Sequence, residues 1–337
     1  MQLDCRPANL DDERELEQIG RLLIADEIAT YGGAEGRTPE ATRIELSSTR
    51  YWDVRSHVAV DESGDVVAFA QLLLPQAENL DQVMVVLYVH PDRRGQRIGG
   101  RFVDHLLPHI REAGRPVVVG WPVLPPDQDD APGARLCTRI GLTRRSVAAI
   151  RACPLPIPEE VAAELQAEVD GKLGDYRIEL WTGRIPDEHI EAFCVLQRQL
   201  DADDPREEYE DEPSNYSPER LRVAEERMFA GGKNRILAVA FAPDGAIVGM
   251  SEIIYSTVPG TTFAHQEDTV VMPGHRGHRL GLGLKLATHR RASEVAPHLK
   301  VLITYNSHIN DQMIGINERL GYRLIAREGA FQGRLDG

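Results

Sequence analysis

The chain has 337 residues, of which 42% are hydrophobic and 27% are charged, and its formal net charge at pH 7 is −15. This is an ordinary globular composition, with enough length for two domains. The negative net charge argues against nucleic-acid partners and against an anionic membrane surface. The longest apolar run, residues 83–89, is too short to span a bilayer.

The first half of the chain predicts the order strand, helix, three strands, helix, strand, helix and strand. Its strands are predicted at residues 3–7, 51–60, 65–74, 82–89, 116–121 and 142–153, and its helices at 11–30, 99–112 and 132–140. Such alternation is typical of an α/β domain with a mixed sheet and helices on both faces.

Residues 154–158 contain three prolines, which predict a stiff, extended spacer. We expect residues 154–174, which include a helix at 159–169, to link an N-terminal domain (1–153) to a C-terminal domain (175–337). The C-terminal domain repeats the order of the first. Its strands are predicted at 176–182, 235–241, 246–255, 262–272, 300–305 and 322–331, and its helices at 187–200, 217–228, 282–296 and 310–320.

A glycine-rich loop between a strand and a helix occurs in both halves. In the second half, Pro273 and Gly274 end the strand, and Gly277 and Gly281 allow a ligand to approach the backbone closely. The free N–H groups at the start of the next helix form an anion site that suits a pyrophosphate. Residues 89–100 align with residues 271–282 at an offset of 182, which indicates an internal duplication.

This loop resembles motif A of the GNAT N-acetyltransferase superfamily, Arg/Gln-x-x-Gly-x-Gly/Ala, through which members of that family bind acetyl-CoA. Arg276 matches its first position and Gly281 its last, and Arg279 stands where the middle glycine is usual. Residues 310–322 resemble motif B, with 134–142 as their counterpart. The resemblance implies an α/β fold of two tandem GNAT-like domains, each a mixed, mostly antiparallel sheet flanked by helices on both faces.

The resemblance also implies acetyl-CoA as cosubstrate and assigns its contacts. In the second half these are Thr269, Val270, Val271, Arg276, Gly277, His278, Arg279, Leu280, Gly281, Leu282, Asn306, Asn310 and Asn317. In the first half they are Leu87, Val89, Arg94, Gly95, Gln96, Arg97, Ile98, Gly99 and Gly100. Whether the first loop binds CoA or serves only the fold stays open.

The implied reaction is attack of an amine on the thioester carbonyl, which needs a base for the amine and an acid for the departing thiolate. Glu252 lies on the strand where many family members place the base, whereas its counterpart Gln71 cannot take a proton. This difference favours the C-terminal copy as the active one. Glu267 and Asp268 are alternative bases, and Glu252 could instead face solvent at a strand edge.

The sequence offers more than one candidate for the acid that protonates the thiolate. Many family members carry a tyrosine four residues before the glycine of motif B, where this chain has Asn317 and, in the first copy, Cys137. Tyr305 and Tyr322 are possible substitutes that could equally be core residues, and a CoA thiolate could also leave without an acid. The candidate catalytic residues are therefore Glu252, Tyr305 and Asn317.

An acidic segment, residues 201–212, either attracts a cationic amine or is a solvated loop. We expect an acetyltransferase that acts on a primary amine of a small molecule. The alternatives are a protein or peptide acetyltransferase and a non-catalytic acyl-CoA-binding scaffold. We expect a monomer or homodimer with neither nucleic acid nor membrane as partner.

No metal site is expected from the sequence. The four cysteines, Cys5, Cys137, Cys153 and Cys194, have no paired spacing. Six histidines of the second half also lack the spacing of metal ligands: His265, His275, His278, His289, His298 and His308. With no signal-peptide pattern at the N-terminus, these features predict a reduced, cytoplasmic location.

Overall fold

The structure is a computed structural model that describes residues 2–205 and 207–335. Met1, Arg206, Asp336 and Gly337, which the predicted domain bounds and the acidic segment include, lie outside the described residues. The described residues divide into two compact units. Among the described residues, the first unit comprises 2–149, 207–212 and 325–335, and the second comprises 150–205 and 213–324.

The first part of the chain forms the predicted elements and two short additional ones, α2 and β6. In chain order they are β1 (Asp4–Pro7), α1 (Glu13–Tyr31), α2 (Pro39–Leu46), β2 (Trp52–Val60), β3 (Val66–Pro75), β4 (Gln82–Val89), α3 (Ile98–Glu112), β5 (Val117–Gly120), β6 (Val123–Leu124), α4 (Pro132–Arg139) and β7 (Thr143–Pro154). The start of α2 is encoded locally, since the Thr38 side chain accepts the Ala41 N–H and Pro39 occupies the first turn.

The second part also follows the predicted order. Its elements are α5 (Glu159–Leu173), β8 (Arg177–Thr182), α6 (Ile190–Asp203), α7 (Pro218–Ala230), β9 (Lys233–Phe241), β10 (Ile247–Ser256), β11 (Phe263–Val271), α8 (Leu280–Val295), β12 (Val301–Ser307), α9 (Asp311–Leu320) and β13 (Arg323–Arg334). Within the described ranges, no helix combines the length and apolarity that crossing a bilayer would require.

In the first unit the strands lie in the order β1-β2-β3-β4-β5, and the end of β13 follows β5. All neighbours are antiparallel except β4 and β5, which run parallel. One face of the sheet packs against α3 through residues such as Phe102, and the other packs against α1 through Leu16 and Ile19. The prediction of a mixed, mostly antiparallel sheet with helices on both faces is confirmed here.

The second unit repeats this arrangement, with strands in the order β8-β9-β10-β11-β12 and the end of β7 beside β12. Strands β8 to β11 pair antiparallel with their neighbours, and β11 pairs parallel with β12, at the position that corresponds to β4 with β5. Leu282 and Leu286 of α8 contribute to the core on one face, and Phe193 and Leu196 of α6 contribute to the core on the other. The repeated order agrees with the duplication read from the sequence.

The units differ from the predicted domain bounds, and the bounds themselves stay a prediction. Helix α5, assigned to the linker, belongs to the second unit because Leu165 and Val169 are buried in its core with Leu282. Residues 325–335 belong to the first unit, where Phe331 pairs with Gly120 of β5. Local sequence encodes a strand but not the partner on which that strand pairs.

The pairing of β13 with β5 makes Phe331 a core residue of the first unit. We predict that Phe331→Ala lowers the free energy of unfolding of that unit by about 3–5 kcal/mol, because it leaves a cavity. It should also speed amide hydrogen exchange at residues 117–120. Leu324→Ala is the matched control, since Leu324 lies on the same strand and is 43% exposed. Unchanged exchange at residues 117–120 in Phe331→Ala would contradict the pairing.

Candidate functional site

A cavity in the second unit opens where two parallel strands separate. Strands β11 and β12 pair over Phe263–His265 and Val301–Ile303. Beyond that register a cavity of about 810 Å³ is lined by the second half of β11, the glycine-rich loop, the start of α8, the end of β12 and residues of α9. Extended backbone without a strand partner offers N–H and C=O groups to a ligand, so this gap suits a long, thin, polar molecule.

A β-bulge shapes one wall of the cavity. The register of β10 with β11 shifts between Ser251 and Ile253, so that Glu267 and Asp268 lie opposite Glu252. Bulges re-aim side chains and are frequent beside functional sites. Asp268 consequently lines the cavity, whereas Glu252 does not. In the first unit, β3 and β4 keep one register throughout their pairing, with Val86 opposite Gln71.

The glycine-rich loop lies at one end of the cavity. Gly277 has φ 90°, and Arg279, in place of the usual glycine, adopts the left-handed conformation with φ 58°. The Nε of Arg279 forms an ion pair with Glu168 of α5 at 2.6 Å. In the described part of the chain no side chain caps the start of α8, so the first amides of this helix can bind an anion.

Arg276, the first residue of the motif, anchors the loop. Its Nε donates a hydrogen bond to the Val271 carbonyl at 3.0 Å, and its guanidinium forms an ion pair with Asp203 of α6. Arg94 makes the same two kinds of contact in the first unit, to the Val89 carbonyl at 3.2 Å and to Asp26 of α1. The arginine therefore holds the loop against its strand and a neighbouring helix in both units.

Glu252, the predicted base, is an internal ion-pair partner rather than an open edge residue. It is only 8% exposed, and its Oε1 accepts a hydrogen bond from Arg235 at 3.1 Å. Arg235 also pairs with Glu225, which in turn pairs with Arg222. Burial raises the pKa of Glu252, while Arg235 opposes that rise. The alternative in which Glu252 faces solvent is wrong, and its catalytic role stays a prediction.

Asp268 combines access to the cavity with a raised proton affinity. Burial raises the pKa of Asp268, the hydrogen bond from Gln197 Nε2 at 3.0 Å opposes this, and the charges of Asp201 and Asp204 add to it. Asp201 and Asp204, together with Asp203, also line the cavity. The first part of the acidic segment thus forms a negative rim beside Asp268, whereas Glu210 and Glu212 are hydrogen-bonded within the first unit.

Sequence reasoning missed Lys285, which reaches the cavity from α8. It is 1% exposed, lines the cavity, and donates from Nζ to Asn317 Oδ1 at 2.9 Å. Burial lowers the pKa of Lys285 to about 7. A lone lysine in the apolar run at 282–287 was the signal in the sequence. At the offset of 182 residues, the first copy has Val103 in this position.

Only some of the predicted site residues line the cavity. Those of the second half that line the cavity are Thr269, Val270, Val271, Arg276, Gly277, Arg279, Leu280, Gly281, Leu282, Tyr305, Asn306 and Asn310. Glu252, His278 and Asn317 are not part of the lining. Asn317 is fully buried and bridges Lys285 to Asn306, to which its Nδ2 donates at 3.3 Å. The Asn310 side chain accepts the Met313 N–H and so caps α9.

The predicted residues of the first half occupy the equivalent loop of the first unit. Leu87 and Val89 end β4, and Ile98, Gly99 and Gly100 begin α3. Arg97 has φ 62°, as Arg279 has φ 58°. A Cβ on Gly99 would lie 3.1 Å from the Leu136 side chain, so a larger residue at this position would require Leu136 to shift.

Comparisons with known proteins agree with this geometry. Residues 21–131 match the acetyltransferase (GNAT) family. A tandem GNAT protein from the clavulanic acid biosynthesis pathway is 21% identical, with a TM-score of 0.78 over 100% of this chain and 99% of its own. A GCN5-related N-acetyltransferase from Sphaerobacter thermophilus is 16% identical, with a TM-score of 0.63 over 99% and 96%.

An N-myristoyltransferase from Saccharomyces cerevisiae, solved with myristoyl-CoA, is 11% identical, with a TM-score of 0.58 over 98% of this chain and 82% of its own. No curated protein matches the chain. At these identities the solved structures establish the fold, and the family match identifies the first of two copies that share one strand order. Over residues 21–131 the chain matches the acetyltransferase (GNAT) family, and over its whole length it has the fold of a tandem GNAT protein.

Proposed function

We propose that the second unit transfers an acetyl group from acetyl-CoA to a primary amine of a small molecule, and that the first unit is an inactive copy. The observation that carries this proposal is the cavity between β11 and β12. It has the anion-binding loop at one end, and Asp268 and Lys285 in its walls. These features supply a donor site, a base and an acid for transfer from a thioester to an amine.

Acetyl-CoA fits the cavity in one direction. Its pyrophosphate would bind the amides at the start of α8, beside Gly277 and Gly281. Its pantetheine would extend along the free edge of β11 towards the bulge. The thioester carbonyl would then lie near backbone N–H groups of β11, which can stabilise the oxyanion of the tetrahedral intermediate.

Asp268 is the base in this scheme. It takes a proton from the acceptor ammonium, and the amine lone pair then forms a bond to the thioester carbon. The nitrogen of the tetrahedral intermediate still carries one extra proton, which it loses to solvent. When the intermediate collapses, the C–S bond breaks and the electron pair leaves with sulfur. The negative rim of Asp201, Asp203 and Asp204 would favour a cationic acceptor, which supports an amine over a neutral nucleophile.

Lys285 is the acid. Asn317 stands at the position that carries a tyrosine in many family members. Its side-chain oxygen accepts a hydrogen bond from the amine of Lys285. The Lys285 ammonium would give a proton to the departing thiolate. The first unit has Val86, Val103 and Cys137 at the positions of Asp268, Lys285 and Asn317, so it lacks groups for this proton transfer.

A peptide or protein acceptor and a non-catalytic scaffold remain the competing functions. Release of CoA thiol from acetyl-CoA with a panel of polyamines, amino sugars and peptides distinguishes them. Turnover with small amines supports the proposal, turnover only with peptides supports the first alternative, and binding without turnover supports the second.

The two loop arginines form a matched pair, because their local contacts are the same. We predict that Arg276→Ala raises the KM for acetyl-CoA at least about tenfold, a loss of about 1.4 kcal/mol, since the loop loses its anchor to Val271 and Asp203. Arg94→Ala should leave both kcat and KM close to the native values. If the two changes had the same effect on kcat and on the KM for acetyl-CoA, the acetyl-CoA site would lie in both units or in neither.

Asp268→Asn should lower kcat by about 10²–10⁴-fold, the usual contribution of a general base. Because the pKa of Asp268 is raised, native activity should increase with pH along a limb that lies above the ordinary aspartate pKa of about 3.9, and the variant should lose this limb. Glu252→Gln is the comparison, with its stability measured separately because it loses an ion pair. If Glu252→Gln rather than Asp268→Asn removed the limb, Glu252 would be the base.

Lys285→Met keeps the length of the side chain but removes the proton. We predict a fall in kcat with little change in KM, and a changed pH profile. The acid must be protonated, and its pKa is about 7, so native kcat should decrease as pH rises through 7 and the variant should lack this decrease. Lys300→Met, at an exposed lysine, is the control. Native kcat in Lys285→Met would rule out the role.

A further inference from the structure

Three histidines meet in the first unit, away from its glycine-rich loop. His57 lies on β2, and His105 and His109 lie one turn apart on α3. His57 Nδ1 is 3.2 Å from His105 Nε2, and one ring nitrogen from each of the three residues lies within 4.8 Å of the others. The six histidines considered from sequence all lie in the second half, so this cluster was not predicted.

The fold holds these rings in place from two sides. Residues four apart lie on the same face of a helix, and the apolar residues Phe102 and Leu106 pack that face of α3 on the sheet. The His105 ring is nearly parallel to that of Phe102, with centroids 6.0 Å apart. His57 is only 4% exposed, so the cluster has one buried and two partly exposed members.

Burial disfavours the protonated forms of His57 and His105. Burial lowers the pKa of His57 to about 4, and His109, His105 and Arg55 add to this effect. Burial and His109 lower the pKa of His105, while Asp4 opposes them. Glu112 Oε2 lies 3.8 Å from His109 Nδ1. Neutral imidazole is the form that binds a metal ion.

We propose that His57, His105 and His109 bind one divalent transition-metal ion, with Zn²⁺ as the best match and water as its fourth ligand. Zinc–nitrogen bonds of about 2.0–2.1 Å in a tetrahedron place two ligand nitrogens about 3.3 Å apart, close to the 3.2 Å between His57 and His105. The ring nitrogen of His109, which lies within 4.8 Å of the other two, must approach them by up to about 1.5 Å to reach the same spacing. The ion would tie β2 to α3 and so stabilise the first unit, a role independent of acetyl transfer.

The test uses the full chain without a histidine tag, freed of metal with a chelator. Equilibrium dialysis against Zn²⁺ with elemental analysis should find one ion per chain, and Zn²⁺ should raise the Tm because it binds only the folded state. Substitution with Co²⁺ should give the visible absorption of a tetrahedral, nitrogen-ligated ion. Less than one ion per chain at micromolar Zn²⁺ would overturn the proposal and leave a hydrogen-bonded histidine cluster.

The decisive variant is His105→Ala combined with His109→Ala, which spares the buried His57. It should lose both the bound ion and the Zn²⁺-dependent rise in Tm. His298→Ala combined with His308→Ala, at two exposed histidines of the second unit, should retain both. Should the double variant fail to fold, His109→Gln alone must weaken binding at least about tenfold. Binding that survives these changes at the cluster would place the ion elsewhere and refute the site.

Discussion

The separation of β11 from β12 is the constraint on which the rest of the second unit depends. If the two parallel strands stayed paired along their whole length, their backbone groups would hydrogen-bond to each other and leave no cavity. Because they pair only over a short register and then diverge, the cavity is bounded by backbone that needs a partner. The bulge in β11 adds a second effect, since it places Asp268 on the cavity wall and leaves Glu252 inside the protein.

Burial of charged groups explains the chemistry available there. Asp268 and Lys285 are both held where their charged forms are disfavoured, so their proton affinities move towards each other. Such tuning lets a carboxylate and an amine exchange protons near neutral pH. Glu252 differs because Arg235 pairs with it directly. Its network with Glu225 and Arg222 joins β10, β9 and α7.

The two units share the local contacts of the duplicated loop. Arg94 and Arg276 each bind a strand carbonyl and an aspartate on a helix, and Arg97 and Arg279 share the left-handed conformation. These contacts stabilise the fold whether or not a ligand is bound. The positions of Asp268 and Lys285, which we propose to transfer protons, are under no such requirement, and in the first unit they carry Val86 and Val103. Retention of a motif is therefore weaker evidence for activity than retention of its acid and base.

The sequence by itself determined the duplication, the order of strands and helices and the two loops, because periodicity, turn residues and the repeated string are local signals. It also located Asp268 and Tyr305 as candidates. Only the tertiary structure decided that Glu252 is ion-paired, that Lys285 reaches the cavity and that His57 meets His105 and His109. It also decided that α5 packs in the core of the second unit and that the end of β13 pairs with β5 in the first. Each of these depends on pairing register, a bulge or burial, which arise from contacts between residues far apart in the chain and leave no pattern in the sequence around any one of them.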